Sequence, residues 1–225
     1  MKVDPSARPH SVSAPRSESR WPASLAVIAA LALYVTLPEH FVLGPRWVIP
    51  ALELALLVPL SIIAPRRTYD EAPWRRIAAI VLIAIINAAN VASLVFLVRF
   101  LIGSGAKASG TQLLISSTEI WLTNILVFAL WYWELDRGGP KHRMAASTRS
   151  ADFLFPQMVT PICASPGWMP RFVDYFFVAF TNATAFSPTD TMPLTPAAKM
   201  LMAVQSLTSL LTVALVAARA VNILS

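Results

Sequence analysis

The chain has little of what most binding and catalytic sites are made from. Its 225 residues include one cysteine, three histidines and seven glycines, and only 13% of positions are charged. The single thiol, Cys163, excludes an internal disulfide framework and any multi-cysteine metal site, and three histidines argue against a histidine-rich centre. His40 and His142 fall in expected loops and His10 in the N-terminal tail. There is no glycine-rich phosphate loop, no His-Glu-x-x-His, and no serine with histidine and acid nearby. Neither catalysis nor a cofactor or metal is expected.

What is abundant is apolar surface. Hydrophobic residues make up 56% of the chain, against about 45–50% in soluble domains, where about 25% of residues are charged. This composition belongs to an all-α, polytopic membrane protein. The net charge of +6 would suit nucleic acid if it lay on a soluble face, but membrane chains hold Lys and Arg in loops, so no nucleic-acid partner is expected.

Residues 1–20 are rich in Ser, Pro and Arg and too polar to bury a core, so a disordered tail is expected. Apolar runs follow at 22–37, 47–64, 77–102, 112–133 and 197–224, with a shorter one at 172–186. A helix across a ~30 Å hydrocarbon core needs about 20 residues. The first run lacks a small-residue cleavage site and reads as a retained helix rather than a signal peptide. Trp47, Trp74 and the Trp131-Tyr132-Trp133 triplet stand near the ends of runs, where aromatic belts form. The expected divisions are a tail (1–20), a four-helix membrane region (21–133), a polar linker (134–171) and a C-terminal helix pair (172–225).

Basic residues supply orientation. Lys2, Arg8, Arg16 and Arg20 lie in the tail, Arg66, Arg67, Arg75 and Arg76 in the second loop, and Arg137, Lys141, Arg143, Arg149 and Arg171 in the linker. The remaining loops hold only Arg46, Lys107 and Lys199. Tail, second loop and linker therefore read as cytoplasmic in a multi-pass protein of the cell (inner) membrane.

From Asp174 the sequence reads DYFFVAFTNATAFSPTDTMPLTPAAKM and continues as a long apolar helix. It resembles the pore hairpin of the two-helix potassium-channel superfamily: an acidic residue opening a short pore helix, a filter, an Asp, a Pro-Leu-Thr-Pro turn and an inner helix. That family's T-V-G-Y-G-D followed by I-T-P-L-T-P aligns without a gap on Ala185, Phe186, Ser187, Pro188, Thr189, Asp190 and then Thr191 to Pro196. The resemblance covers roughly the last fifty residues and implies a homotetramer. A potassium filter needs glycine φ values so that carbonyls can point inward; Ser187 and Thr189 occupy those positions, and Pro188 fixes φ between them. Potassium selectivity is therefore disfavoured. The whole chain is also similar to a family of uncharacterised bacterial integral membrane proteins with four apolar segments, a Gly/Pro linker, an aromatic-rich hairpin and a final helix. That likeness implies architecture only.

In channels the pore helix dips in from outside, which would place the basic linker outside. Three basic segments outweigh one degenerate motif, so a full crossing by 172–186 is the expectation, in about 24 Å of helix.

Ionisable groups inside spans are expensive and need partners. Glu53, Arg99 and Glu119 fall in the outer halves of three runs, and an Arg99–Glu119 pair joined by Glu53 is expected, as a structural ion pair first and as a proton- or cation-sensitive site second. Asn87 and Asn90, and Ser117 and Asn124, are expected to bond between helices. Gln205, Ser209 and Thr212 share a face of the last run and are candidates for lining a pathway, with packing as the default. Thr184, Ala185, Phe186, Ser187, Pro188, Thr189 and Asp190 form the filter-like tip and the expected ion-contacting surface. The preferred function is channel-like, non-selective for monovalent cations, in a homo-oligomer within the lipid bilayer. A non-conducting scaffold and a small proton-coupled transporter are the alternatives.

Overall fold

The computed structural model describes residues 18–19, 21–63, 66–67, 73–103, 110–144, 149–184 and 191–224. Among them are eight α-helices: α1 (Trp21–Thr36), α2 (Val48–Ile63), α3 (Pro73–Gly103), α4 (Gly110–Leu135), α5 (Pro140–Met144), α6 (Pro156–Val159), α7 (Phe172–Thr184) and α8 (Pro196–Leu224). Prolines open α3, α5, α6 and α8, where a missing N–H would have had no intrahelical partner. Three stretches, 73–102, 110–138 and 196–218, are long and apolar enough to cross a membrane. The protein is an all-α helical membrane protein. α1 and α2, with 16 residues each, make about 24 Å of helix.

α4 is the central helix and packs on α1, α3, α7 and α8. Fixed contacts give the direction of its neighbours. Arg76 in the first turn of α3 pairs with Glu134 at the end of α4 at 3.7 Å, and the Thr36 side chain at the end of α1 lies close to Glu119 in the first half of α4. α1 and α3 therefore both run antiparallel to α4. The two-residue strands β1 (Glu18–Ser19) and β2 (Arg66–Arg67) pair antiparallel, tying the tail to the α2–α3 loop. One end of the bundle thus collects the start of α1, β2, the first turn of α3 and the residues that follow α4 directly. At the other end Tyr34, Leu37, Phe41, Val42, Leu97 and Leu113 form an apolar cluster.

The C-terminal pair departs from expectation. Strands β3 (Phe153–Leu154) and β4 (Met192–Pro193) pair antiparallel, and Leu194 N–H donates to Asp152 O at 2.8 Å. These contacts bind the start of α8 to the segment that follows α4. Tyr175, in the first turn of α7, donates to Asp136 just beyond α4. Both helices therefore start at the basic end, and they rise together: Ala179 O accepts from Gln205, Asn182 donates to Met202 O, and Ala183 O accepts from Ser209. α7 stops at Thr184, roughly 20 Å up, beside the middle of α8. The expected crossing by 172–186 does not fit this geometry, in which α7 and α8 run parallel from one end and α7 stops part-way along α8. The count of basic loops could not reveal this, because a re-entrant helix leaves the linker on its own side.

Three smaller corrections follow. Lys199 sits in the first turn of α8 at the basic end rather than in an opposite loop. Tyr132 and Trp133 are buried in the bundle instead of forming a belt, whereas Trp21, Trp47 and Trp74 are exposed. The 134–171 segment is no loose linker, since Asp136, Arg143, Phe153 and Phe155 are all buried.

Re-entry has a direct test. Cys163 is exposed and lies on the segment joining α4 to α7. In sealed, uniformly oriented vesicles a membrane-impermeant maleimide should reach Cys163 and, in a Cys163→Ala background, Met192→Cys from the same side, and Leu43→Cys from the opposite side. Labelling of 163 and 192 from opposite sides would restore the crossing.

Candidate functional site

The densest polar construction lies where α4 ends. Leu135 leads into Asp136-Arg137-Gly138-Gly139, whose last three residues all have positive φ, at 53°, 79° and 97°. A Cβ at Gly139 would stand 2.9 Å from Glu134 O, so only glycine allows this turn to close so tightly on α4. The turn swings Arg143 back beneath the helix, where its Nη1 donates to Trp133 O at 2.7 Å and Asp136 O at 3.0 Å, satisfying carbonyls left free at the helix end. Its guanidinium also stands 5.1 Å from the centre of the Tyr175 ring.

Asp136 is fully buried and accepts two bonds, from Asp152 N–H at 2.8 Å and from Tyr175 Oη at 2.5 Å. Asp152 in turn accepts from Arg137 N–H at 2.8 Å and from Thr195 Oγ1 at 2.7 Å. Thr195 caps α8, its Oγ1 receiving the Ala198 N–H. The acid that opens α7, Asp174, caps its own helix by accepting the Arg171 N–H at 2.7 Å. Two carboxylates thus connect α4, α7 and α8. Sequence reading missed this knot because Asp136 and Asp152 stand in a polar stretch; the Gly-Gly pair next to an acid was the available signal.

A second network sits at mid-depth. Gln205 Oε1 accepts from Tyr132 Oη at 2.5 Å and Asn182 Nδ2 at 2.8 Å, while its Nε2 donates to Ala179 O at 2.7 Å. Ser206 donates to Asn182 Oδ1, Ser209 donates to Ala183 O, and Trp121 Nε1 donates to Ser209. Thr212 is buried and its hydroxyl donates to Thr208 O. Gln205 and Ser209 are therefore joined to α4 and α7 as packing groups, and Thr212 is buried beside them on α8.

Of the filter-like tip, Thr184 closes α7 with its hydroxyl donating to Thr181 O. Ala185, Phe186, Ser187, Pro188, Thr189 and Asp190 lie outside the described residues.

The expected ion pair is not formed. Arg99 is exposed on α3, two residues and hence about 200° round the helix from fully buried Leu97. Glu119 is half-buried and turned to α1 through Thr36. Glu53 is buried, with Oε2 unpartnered. Asn87 Oδ1 and Asn90 Nδ2 also lack the expected interhelical partners, whereas Ser117 bonds Leu113 O in its own helix and Asn124 reaches Gln205 O. Among the described residues no group of three or more His, Cys, Asp or Glu could hold a metal ion.

No protein-family model, curated protein or solved structure matches the chain.

Removing the Asp136 carboxylate should be the most damaging single change at the basic end. Asp136→Ala leaves Tyr175 Oη and Asp152 N–H without their acceptor, and a loss of about 3 kcal/mol is expected. Gln205→Leu, which keeps the bulk, should lose about 2 kcal/mol. Both are read as shifted midpoints in detergent unfolding curves, with Arg99→Ala, on an exposed face, nearly unchanged.

Proposed function

We propose that this is a channel-like protein of the cell (inner) membrane in which the re-entrant α7 and the 185–190 tip form an ion-contacting element. The supporting observation is that α7 and α8 rise from one end and that α7 stops part-way along α8. This is the arrangement of pore helix and inner helix in the two-helix channel superfamily. Thr191, next to β4, lies at the basic end, whereas Thr184 stands beside the middle of α8. Within a bilayer, backbone at that depth is tolerated only against protein or water. The C-terminal end of α7 places its free carbonyls, a partial negative charge, at the same depth, which favours cations.

Strands β1 and β2, the first turn of α3 with Arg75 and Arg76, the described residues that follow α4, and Lys199 all lie at one end, so that end is assigned to the cytoplasm. The hairpin then enters from the cytoplasmic side, opposite in sense to the potassium channels it resembles. With Ser187 and Thr189 where that family has glycine, the tip contacts monovalent cations without potassium selectivity. One hairpin supplies one wall, so the conducting form is a homo-oligomer, and the resemblance implies a tetramer.

The alternative is a non-conducting membrane scaffold. It is favoured by the inward-turned Gln205, Ser209 and Thr212, which serve packing completely. Flux through purified protein in liposomes separates the two. Potassium and sodium gradients should both dissipate faster than in empty vesicles, and Thr189→Ala with Asp190→Ala should slow that by about tenfold or more. Vesicles as tight as the empty ones, or a monomer by light scattering in detergent, would leave the scaffold.

A further inference from the structure

The mid-depth network is fully bonded, but a second polar region farther from the basic end is not. Among the described residues, buried side-chain atoms without a partner in α2, in α3 beyond its first turn, and in α4 as far as Asn124 are Glu53 Oε2, Asn87 Oδ1, Asn90 Nδ2, Ser93 Oγ, Ser116 Oγ, Glu119 Oε2 and Asn124 Oδ1. Glu53, Asn90, Ser93, Ser116 and Asn124 are each 3% exposed or less. Orphaned polar groups are few in most proteins and mark places where water or an ion belongs.

Register places Asn90, Ser93 and Ser116 at a common level. The Arg76–Glu134 contact fixes the antiparallel pairing of α3 and α4. Seventeen residues up α3 from Arg76 is Ser93, and seventeen back along α4 from Glu134 is Ser117, beside Ser116. Both stand about 25 Å above that ion pair. Leu82, Ile86, Asn90, Ser93 and Leu97 form the buried face of α3; Leu113, Ser116, Ile120 and Asn124 form that of α4. The two faces meet, since Ala89, Leu94, Leu97, Leu113 and Ile120 share one apolar cluster. α2 packs on α3, and Ile49, one turn from Glu53 on the same face, packs against that cluster, as does Tyr34. Glu53 lies within electrostatic range of the Tyr34 hydroxyl, which itself accepts the Leu43 N–H.

We infer that this seam is a buried binding site for a monovalent alkali cation, with Glu53 as its carboxylate and Asn90, Ser93 and Ser116 on its walls. Of the seven orphaned atoms six are oxygens, the donor type that suits a hard cation and repels an anion. Glu53 is the one carboxylate in the seam; Glu119 turns to Thr36, and Arg99, the basic residue nearest in sequence on α3, is on the exposed side. A single negative charge is balanced by one positive one, and the absence of a three-acid cluster among the described residues argues against a divalent ion. The Asn90 amide supplies an acceptor oxygen to the cation and a donor to its hydration water. This site is independent of conduction through the hairpin.

Thermal unfolding of the full chain in detergent, followed by circular dichroism, tests it. At constant ionic strength, replacing choline with sodium or potassium should raise Tm by about 4 °C for each tenfold increase above the Kd. Glu53→Gln should abolish the rise, and Ser93→Ala with Ser116→Ala should move it to about tenfold higher concentration. A Tm indifferent to choline replacement, the behaviour of a neutral Glu53 carboxyl, overturns the site, as does an undiminished rise in Glu53→Gln. Should Glu53→Gln fail to fold, the serine pair decides: an unmoved midpoint overturns the proposal. Tight liposomes with a cation-dependent Tm would remove the channel reading alone, and leaky liposomes with a flat Tm would remove this site alone.

Discussion

A carboxylate without access to water, Asp136, is the constraint on which the C-terminal half depends. A charge at zero exposure persists only when hydrogen bonds replace its hydration. Its two acceptor sites are filled by groups far along the chain, the backbone of Asp152 and the hydroxyl of Tyr175. Those partners are what bring the chain after α4 back under the bundle. Asp152 then passes the constraint on, holding Arg137 in its left-handed conformation through the N–H and fixing α8 through Thr195. With α7 and α8 both anchored at one end, their parallel course is a consequence.

Parallel helices starting from a common base need a reason to stay in contact, and α7 supplies one in its small residues. Ala179 and Ala183 face α8, where the lack of bulk lets side chains of Gln205 and Ser209 reach main-chain carbonyls. Asn182, between them, bonds Met202, Gln205 and Ser206. In a membrane, where apolar burial no longer distinguishes helix from lipid, such bonds set the register. The 13-residue length of α7 then sets its depth.

Depth was legible in the sequence and azimuth was not. Apolar runs at 22–37, 47–64, 112–133 and 197–224 appear as helices within two residues at each end, because length and hydropathy alone define a span. Only α3 starts earlier, at Pro73, taking in Arg75 and Arg76 as its first turn. Within runs that are apolar all round, however, no moment says which side faces the bundle. Glu53, Arg99 and Glu119 were placed at a common level, yet Arg99 points away and Glu119 points to α1. The direction of α7 was hidden for a related reason. It depends on Asp136 meeting Tyr175 and Asp152 meeting Thr195, pairs separated by 39 and 43 positions.

Satisfaction, rather than polarity, is what separates structural polar residues from candidate ligands in this bundle. Gln205, Asn182, Ser206 and Ser209 are amides and hydroxyls like Asn90, Ser93 and Ser116; Gln205 and Ser209 are buried, and Asn182 and Ser206 half-buried, in the same bundle. The first set bonds its neighbours and needs nothing more. In the second set every named side chain leaves a buried atom without a partner. Asn124 stands between them: its Nδ2 donates toward Gln205 O, while its Oδ1 is left without a partner. Packing can account for the network beside α7 without a ligand. It cannot account for a buried carboxylate of α2 and the two hydroxyls and amide of α3 and α4 left incomplete, because a core that only packs loses nothing by replacing them with leucine and alanine.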